Sequence, residues 1–149
     1  MNKKEFFNKL FTDYKLVKQD DAFISKNYAI ITRSGIEKIQ AKNNIIVDFE
    51  IIKAEPEFAV VKAISEQKEK QIQTFGSAKW SDYTVVKKKN RDGKEYETKQ
   101  LLQGNTNSWY VVELAEKRAL ARIVLKVMGW YQNGAFGEDE GVHLNQDNE

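Results

Sequence analysis

Residues 113–129 read E-L-A-E-K-R-A-L-A-R-I-V-L-K-V-M-G, a run of helical periodicity that is apolar around most of its circumference. At about 100° per residue, Arg118, Arg122 and Lys126 fall within an arc of roughly 80° on one face. Val112, Ala119, Ile123 and Val127 lie on a neighbouring face, and Leu114, Ala121, Leu125 and Met128 on a third, beyond the cationic wedge. A helix with two apolar flanks has to be clamped on two sides and left open on one. The open side is basic, which makes phosphate its natural ligand. The competing reading is an ordinary solvated face, its cations paired with Glu113 or Glu116.

The chain has 149 residues, a length that buries about 68–70% of the unfolded surface as one domain and leaves no room for two substantial ones. Residues 1–137 are therefore expected to form a single α+β domain and residues 138–149 an acidic, flexible tail. Twenty-four Lys+Arg against 22 Asp+Glu give a formal charge of +2, so affinity for a polyanion has to come from uneven placement of charge. Lys87, Lys88, Lys89, Arg91 and Lys94 crowd one segment, whereas Glu138, Asp139 and Glu140 open the acidic end. The absence of cysteine excludes a disulfide framework, a thiolate zinc site and a cysteine nucleophile. No apolar run reaches the roughly 20 residues of a membrane span, and the N-terminus lacks a signal-peptide core. The expected location is the cytoplasm.

Phe6, Phe7, Leu10, Phe11 and Tyr14 recur at helical spacing, predicting a short amphipathic helix over residues 3–14. Residues 22–31, rich in aromatic and β-branched side chains, predict one strand or two short ones. Ser34 and Glu37 have capping-box spacing and open a second short helix through about Ala41. In residues 44–53, Ile45, Val47, Phe49 and Ile51 point one way and Ile46, Asp48, Glu50 and Ile52 the other, predicting a half-buried strand. Pro56 marks a turn. Strands over residues 58–65 and 71–80 complete a three-stranded antiparallel meander.

Between the meander and the long helix, Asp92-Gly93 is a turn signal flanked by the β-formers Thr84, Val86, Tyr96 and Thr98. This predicts a protruding basic hairpin, either a solvated excursion or a finger that contacts a polyanion. Residues 103–108 are polar, and Thr106, Asn107 or Ser108 can cap the long helix beside that finger. Aromatic groups supply the stacking surfaces that single-stranded nucleic acid also requires. Trp80, next to Lys79, is the favoured one; Trp109, Tyr110, Trp130 and Tyr131 sit at element ends, where aromatics more often act as core lids. Gly76, inside the third strand, marks a bulge or a close backbone approach.

Phe75-Gly76-Ser77-Ala78 at a strand end, followed after a loop by Ala115, Glu116, Arg118, Ala119, Arg122 and Gly129 on one helix, resembles the single-strand annealing proteins. These include phage recombinases of the Erf and Red-beta kinds and the eukaryotic mediator Rad-fifty-two. The resemblance covers about residues 30–137 and rests on short motifs. It implies a β-β-β-α core that assembles into rings or filaments, binds single-stranded DNA along a basic groove and pairs complementary strands without nucleotide hydrolysis. By the same resemblance, Arg118, Arg122 and Lys126 are groove residues. The chain departs from the pattern in its shortness, its near-neutral charge and its acidic end.

Two other functions fit particular residues. Asp48 with Glu66 and Lys68 has the acid, acid-x-lysine order of magnesium-dependent nucleases, in which two carboxylates hold the metal and the lysine steadies the attacking water. A non-catalytic interaction module of a phage or mobile element is the other. No Walker loop or dinucleotide fingerprint occurs, and the one histidine, His143, lies in the polar tail. The expectation is thus an α+β fold, a three-stranded antiparallel β-meander packed on one long C-terminal helix, with short N-terminal helices and a basic β-hairpin insertion. Its expected function is non-enzymatic, cofactor-free single-stranded-DNA binding and strand annealing in phage or mobile-element recombination, as a homo-oligomer, with a recombination partner protein. The expected contacts are Arg118, Arg122, Lys126, Lys87, Lys88, Lys89, Arg91, Lys79 and Trp80.

Overall fold

The computed structural model describes residues 1–80, 83–101 and 110–141. Helix α1, Lys3–Asp13, starts in a reciprocal capping box: the Asn2 side chain accepts from the Glu5 N–H and the Glu5 carboxylate from that of Asn2. It buries Phe6, Phe7 and Leu10. Short strands β1, Ala22–Ile24, and β2, Ala29–Ile31, pair antiparallel. Helix α2, Arg33–Lys42, follows. Its N-cap is Thr32, not Ser34: Thr32 has the extended backbone and its hydroxyl accepts from the Gly35 N–H, while Ser34 already lies inside the helix and its hydroxyl donates to the buried Asp21 carboxylate.

Strands β3, Asp48–Glu55, β4, Phe58–Gln67, and β5, Lys70–Lys79, form the expected antiparallel meander in the order β3-β4-β5. Strands β6, Tyr83–Lys89, and β7, Glu95–Leu101, form a separate two-stranded hairpin. Helix α3, Val111–Met128, packs across β4 and β5. It ends at Gly129, whose φ of 70° is the left-handed conformation that glycine adopts without a Cβ penalty. A 3-10 turn, Trp130–Asn133, leads into strand β8, Ala135–Gly137, which adds parallel to β2.

The fold is therefore α+β, with the long helix clamped between the meander on one side and α2 and β8 on the other. Val111, Leu114, Ala115, Ala119, Leu120, Ala121, Ile123, Val124 and Leu125 are all buried in it, as its two apolar flanks require. Trp130 is a core lid: it lies edge-on to Phe6 and Tyr14, with centroids 5.3 and 5.1 Å apart, and so anchors α1.

Three further expectations are corrected. Strand β3 is not half-buried: every one of its residues is exposed, Phe49 at 40% and Ile51 at 60%. The reason is that β3 is an edge strand, and α3 lies over β4 and β5 rather than over it. A bulge between Ile51 and Lys53 also breaks the alternation that the sequence pattern presupposes.

The domain, moreover, does not stop at residue 137. Glu138 accepts from the Arg33 backbone N–H, 2.7 Å away in the first turn of α2, where a carboxylate also complements the helix dipole. Glu140 accepts from the Tyr131 hydroxyl at 2.9 Å and from the Gly137 N–H at 3.1 Å. Burial and this carboxylate push the Tyr131 phenol well above its ordinary range. The turn into Gly141 is thus part of the fold; the remaining tail, residues 142–149 with His143, lies outside the described residues.

Third, the cationic wedge of α3 is not an open ridge, because its two arginines point into the edge of the meander; their contacts belong to the site itself.

Candidate nucleic-acid interface

Helix α3 approaches β5 closely because the facing side of that strand is small. Thr74, Gly76 and Ala78 alternate inward and are buried, and the Thr74 hydroxyl donates to the Ala119 carbonyl at 3.0 Å. A Cβ built on Gly76 would lie 2.1 Å from the Ala115 carbonyl oxygen and 2.4 Å from the Ala119 nitrogen. Gly76 is thus the close backbone approach that a glycine within a strand signals.

That approach determines where the arginines go. Arg118 Nη1 donates to the Ser77 carbonyl and Arg122 Nη1 to the Phe75 carbonyl, each at 2.7 Å. Four helical residues rise about 6 Å and two strand residues about 6.6 Å, so arginines at i and i+4 on α3 match carbonyls at j and j−2 on β5, which runs the opposite way. Arg122 Nη2 also meets Asp139 Oδ2 at 2.6 Å, with the arginine side chain 34% and the aspartate 15% exposed. Lys126, the third cation of the wedge, remains exposed. Of the two acids considered as partners, Glu113 is exposed and Glu116 half-buried.

The hairpin concentrates the remaining positive charge. Residues 83–101 carry six basic and three acidic side chains. Lys87, Lys88, Lys89, Arg91 and Lys94 are all exposed, and none enters an ion pair among the described residues. The turn is organised by Asn90, whose side-chain oxygen accepts from the N–H groups of Asp92 and Lys94, and by Gly93 at φ 77°. In register, Lys87 faces Glu97 and Lys89 faces Glu95, while Lys88 faces Tyr96. These opposite charges are register neighbours that stay beyond ion-pair distance. The register also places Lys87 and Lys89 on one face, and Lys88 beside an aromatic ring that is 47% exposed on the other.

Sequence reasoning took Tyr96 only for a β-former. Its pairing with Lys88 depends on a three-residue loop, Arg91-Asp92-Gly93, closed between Asn90 and Lys94; a two-residue Asp92-Gly93 turn would have set Lys88 against Glu97. Trp80, just after β5, is 40% exposed, and its backbone N–H donates to the Glu57 carbonyl at 2.8 Å; Lys79 beside it is exposed and engaged within the fold. The polar loop 103–108 and Trp109 lie outside the described residues, and α3 begins after Tyr110, 39% exposed.

Asp48 begins β3 and Glu66 lies near the end of β4, with Lys68 in the following turn. Among the described residues no group of three or more His, Cys, Asp and Glu side chains is placed to hold a metal ion. Among them, too, no helix is long and apolar enough to cross a membrane.

The chain matches no protein-family model, no curated protein and no solved structure.

Proposed function

We propose that this protein binds single-stranded DNA and pairs complementary strands without nucleotide hydrolysis, as an oligomeric, cytoplasmic protein of phage or mobile-element recombination. The observation that carries the reading is the β6–β7 hairpin, where five exposed cations have no carboxylate within ion-pair distance among the described residues. Cations without internal partners are the ones whose counterions a polyanion displaces, and that release drives sequence-independent binding. Lys87, Lys88, Lys89 and Arg91 would follow phosphates. Tyr96 and Trp80 offer ring faces to bases, each stack contributing about 1–3 kcal/mol. Lys126 and Lys79 extend the basic surface.

In this reading Arg118 and Arg122 act as positioning residues, holding α3 to β5, rather than as the phosphate track. Assembly is supported by β3, whose outer edge has no strand partner among the described residues and carries exposed Phe49, Ile51 and Ile52. The same edge favours a second reading, a module that docks on another protein by strand addition.

Fluorescence anisotropy with a labelled oligothymidine at two salt concentrations, beside light scattering, tests the proposal. The wild type binds with an affinity that falls steeply with salt and scatters as a large assembly; K87E/K88E/K89E binds far more weakly and with a shallower salt slope. Absence of binding by the wild type, or equal binding by a folded triple variant, rejects it. Strand addition without DNA binding would leave assembly intact and anisotropy flat.

A further inference from the structure

A groove of about 600 Å³ runs between α1 and β1 on the N-terminal half of the protein, far in sequence from the β6–β7 hairpin and from α3. Its floor is apolar, from Phe11 and its neighbours. Its rim carries Lys4 from α1, Lys18 from the turn before β1 and Lys26 after β1, all exposed, and Phe23, 50% exposed on β1 itself. None of the residues lining the groove is acidic. Lys4, Lys18 and Lys26 enter no ion pair among the described residues, and Lys18 lies 5.7 Å over the Phe11 ring.

The walls are held in place. The Lys3 ammonium donates to the Asn27 carbonyl at 3.0 Å, tying α1 to the β1–β2 turn, and Trp130 pins α1 from behind through Phe6 and Tyr14. A groove already formed spares a ligand the cost of ordering it.

We propose that this groove is a second contact for single-stranded nucleic acid, taking backbone phosphates on Lys4, Lys18 and Lys26 and a base on the Phe23 ring. Three ammonium groups with no ion-pair partner among the described residues, set around the one exposed aromatic ring of the groove, Phe23, suit a ligand that is anionic along one edge and flat and apolar along the other. A nucleotide strand has both features. An acidic peptide supplies the charge but not the row of flat faces. The inference rests on the reading that the protein binds single strands, and adds a place on the surface that neither the α3 wedge nor the hairpin touches.

The experiment uses the full chain and oligothymidine carrying one 5-iodouracil. Photo-cross-linking followed by peptide mapping places a cross-link on the segment containing Phe23. Lys4→Gln/Lys18→Gln/Lys26→Gln lowers the slope of log affinity against log salt by about 2, at roughly 0.7 per phosphate on a single strand. Phe23→Ala weakens binding about five-fold or more, the lower end for one base–aromatic stack, and Phe23→Trp restores it. Circular dichroism confirms that these surface variants fold.

An unchanged slope with no cross-link near Phe23, while K87E/K88E/K89E still loses affinity, overturns the groove and leaves the hairpin reading standing. If the wild type binds no oligonucleotide, both fall. If poly-glutamate protects the groove lysines from acetylation and oligothymidine does not, the groove takes acidic peptide and the inference is wrong.

Discussion

Replacing Gly76 by alanine tests the contact on which the whole arrangement of α3 depends. In an ordinary strand interior the exchange stabilises by roughly 0.5–1 kcal/mol, because glycine loses more conformational freedom on folding. At this position the added methyl would sit 2.1 Å from the Ala115 oxygen and 2.4 Å from the Ala119 nitrogen. Both obstacles are helix backbone, so no side-chain rotation relieves the overlap, and α3 has to move by an ångström or more. Overpacking of this kind costs about 1–3 kcal/mol, occasionally more, and a rigid backbone obstacle puts it at the upper end. The displacement also pulls Arg118 and Arg122 away from the Ser77 and Phe75 carbonyls.

The net loss is then about 2–3 kcal/mol. At roughly 2–4 °C per kcal/mol for a chain of this length, the midpoint drops by about 5–10 °C. Thermal and urea unfolding followed by far-ultraviolet circular dichroism measure it. Gly93→Ala is the contrast: at φ 77° with nothing within 4 Å, it carries only the left-handed backbone term of about 1–2 kcal/mol. A Gly76→Ala protein melting at or above the wild-type temperature would show that α3 does not sit on this strand and that Arg118 and Arg122 do not reach its carbonyls.

Arg122→Ala should destabilise by about 1–2 kcal/mol, since it removes two charge-assisted hydrogen bonds but from a group still 34% exposed. Arg122→Lys recovers only part, because a single ammonium nitrogen lacks the planar two-nitrogen fork that reaches the Phe75 carbonyl and the Asp139 carboxylate at once; urea midpoints within experimental error of wild type for Arg122→Ala would refute the edge-pin role. Asp21 is 1% exposed and accepts from the Val17 N–H, the Ser34 hydroxyl and the Lys38 ammonium. Burial pushes its carboxyl up, but Lys38, Ser34 and the Val17 N–H together outweigh burial and hold it below the ordinary value. A depressed folded-state value stabilises above the unfolded-state pKa near 3.9 and is lost as pH falls through the folded one. The stability gap between wild type and Asp21→Asn, about 1–3 kcal/mol, is therefore expected to stay level from pH 8 to 5 and close below pH 4. A gap that persists unchanged at pH 3 contradicts the assignment.

Much of the architecture is legible in local pattern. The 3.6-residue spacing of Phe6, Phe7 and Leu10 and the apolar flanks of residues 113–129 specify α1 and α3, and Pro56, Asp92-Gly93 and Gly129 specify two turns and a helix end. The alternation of residues 58–65 specifies a strand with one face inward. These signals are legible because each is a relation between residues a few positions apart, and backbone geometry turns that spacing into a face. What covers a face is a different matter. The apolar residues of β3 have strand spacing, yet Phe49 and Ile51 stay exposed because the helix reaches only the next two strands. The pairing of Ala29, Ile30 and Ile31 with Ala135, Phe136 and Gly137 joins chain segments too far apart for any periodicity to relate them. Arg118, Arg122 and Lys126 have one spacing and three fates, two settled by carbonyls of β5 and one by open solvent. Charge finds its partner by distance in the folded molecule, and that distance exists only once Gly76 has let the helix down onto the sheet.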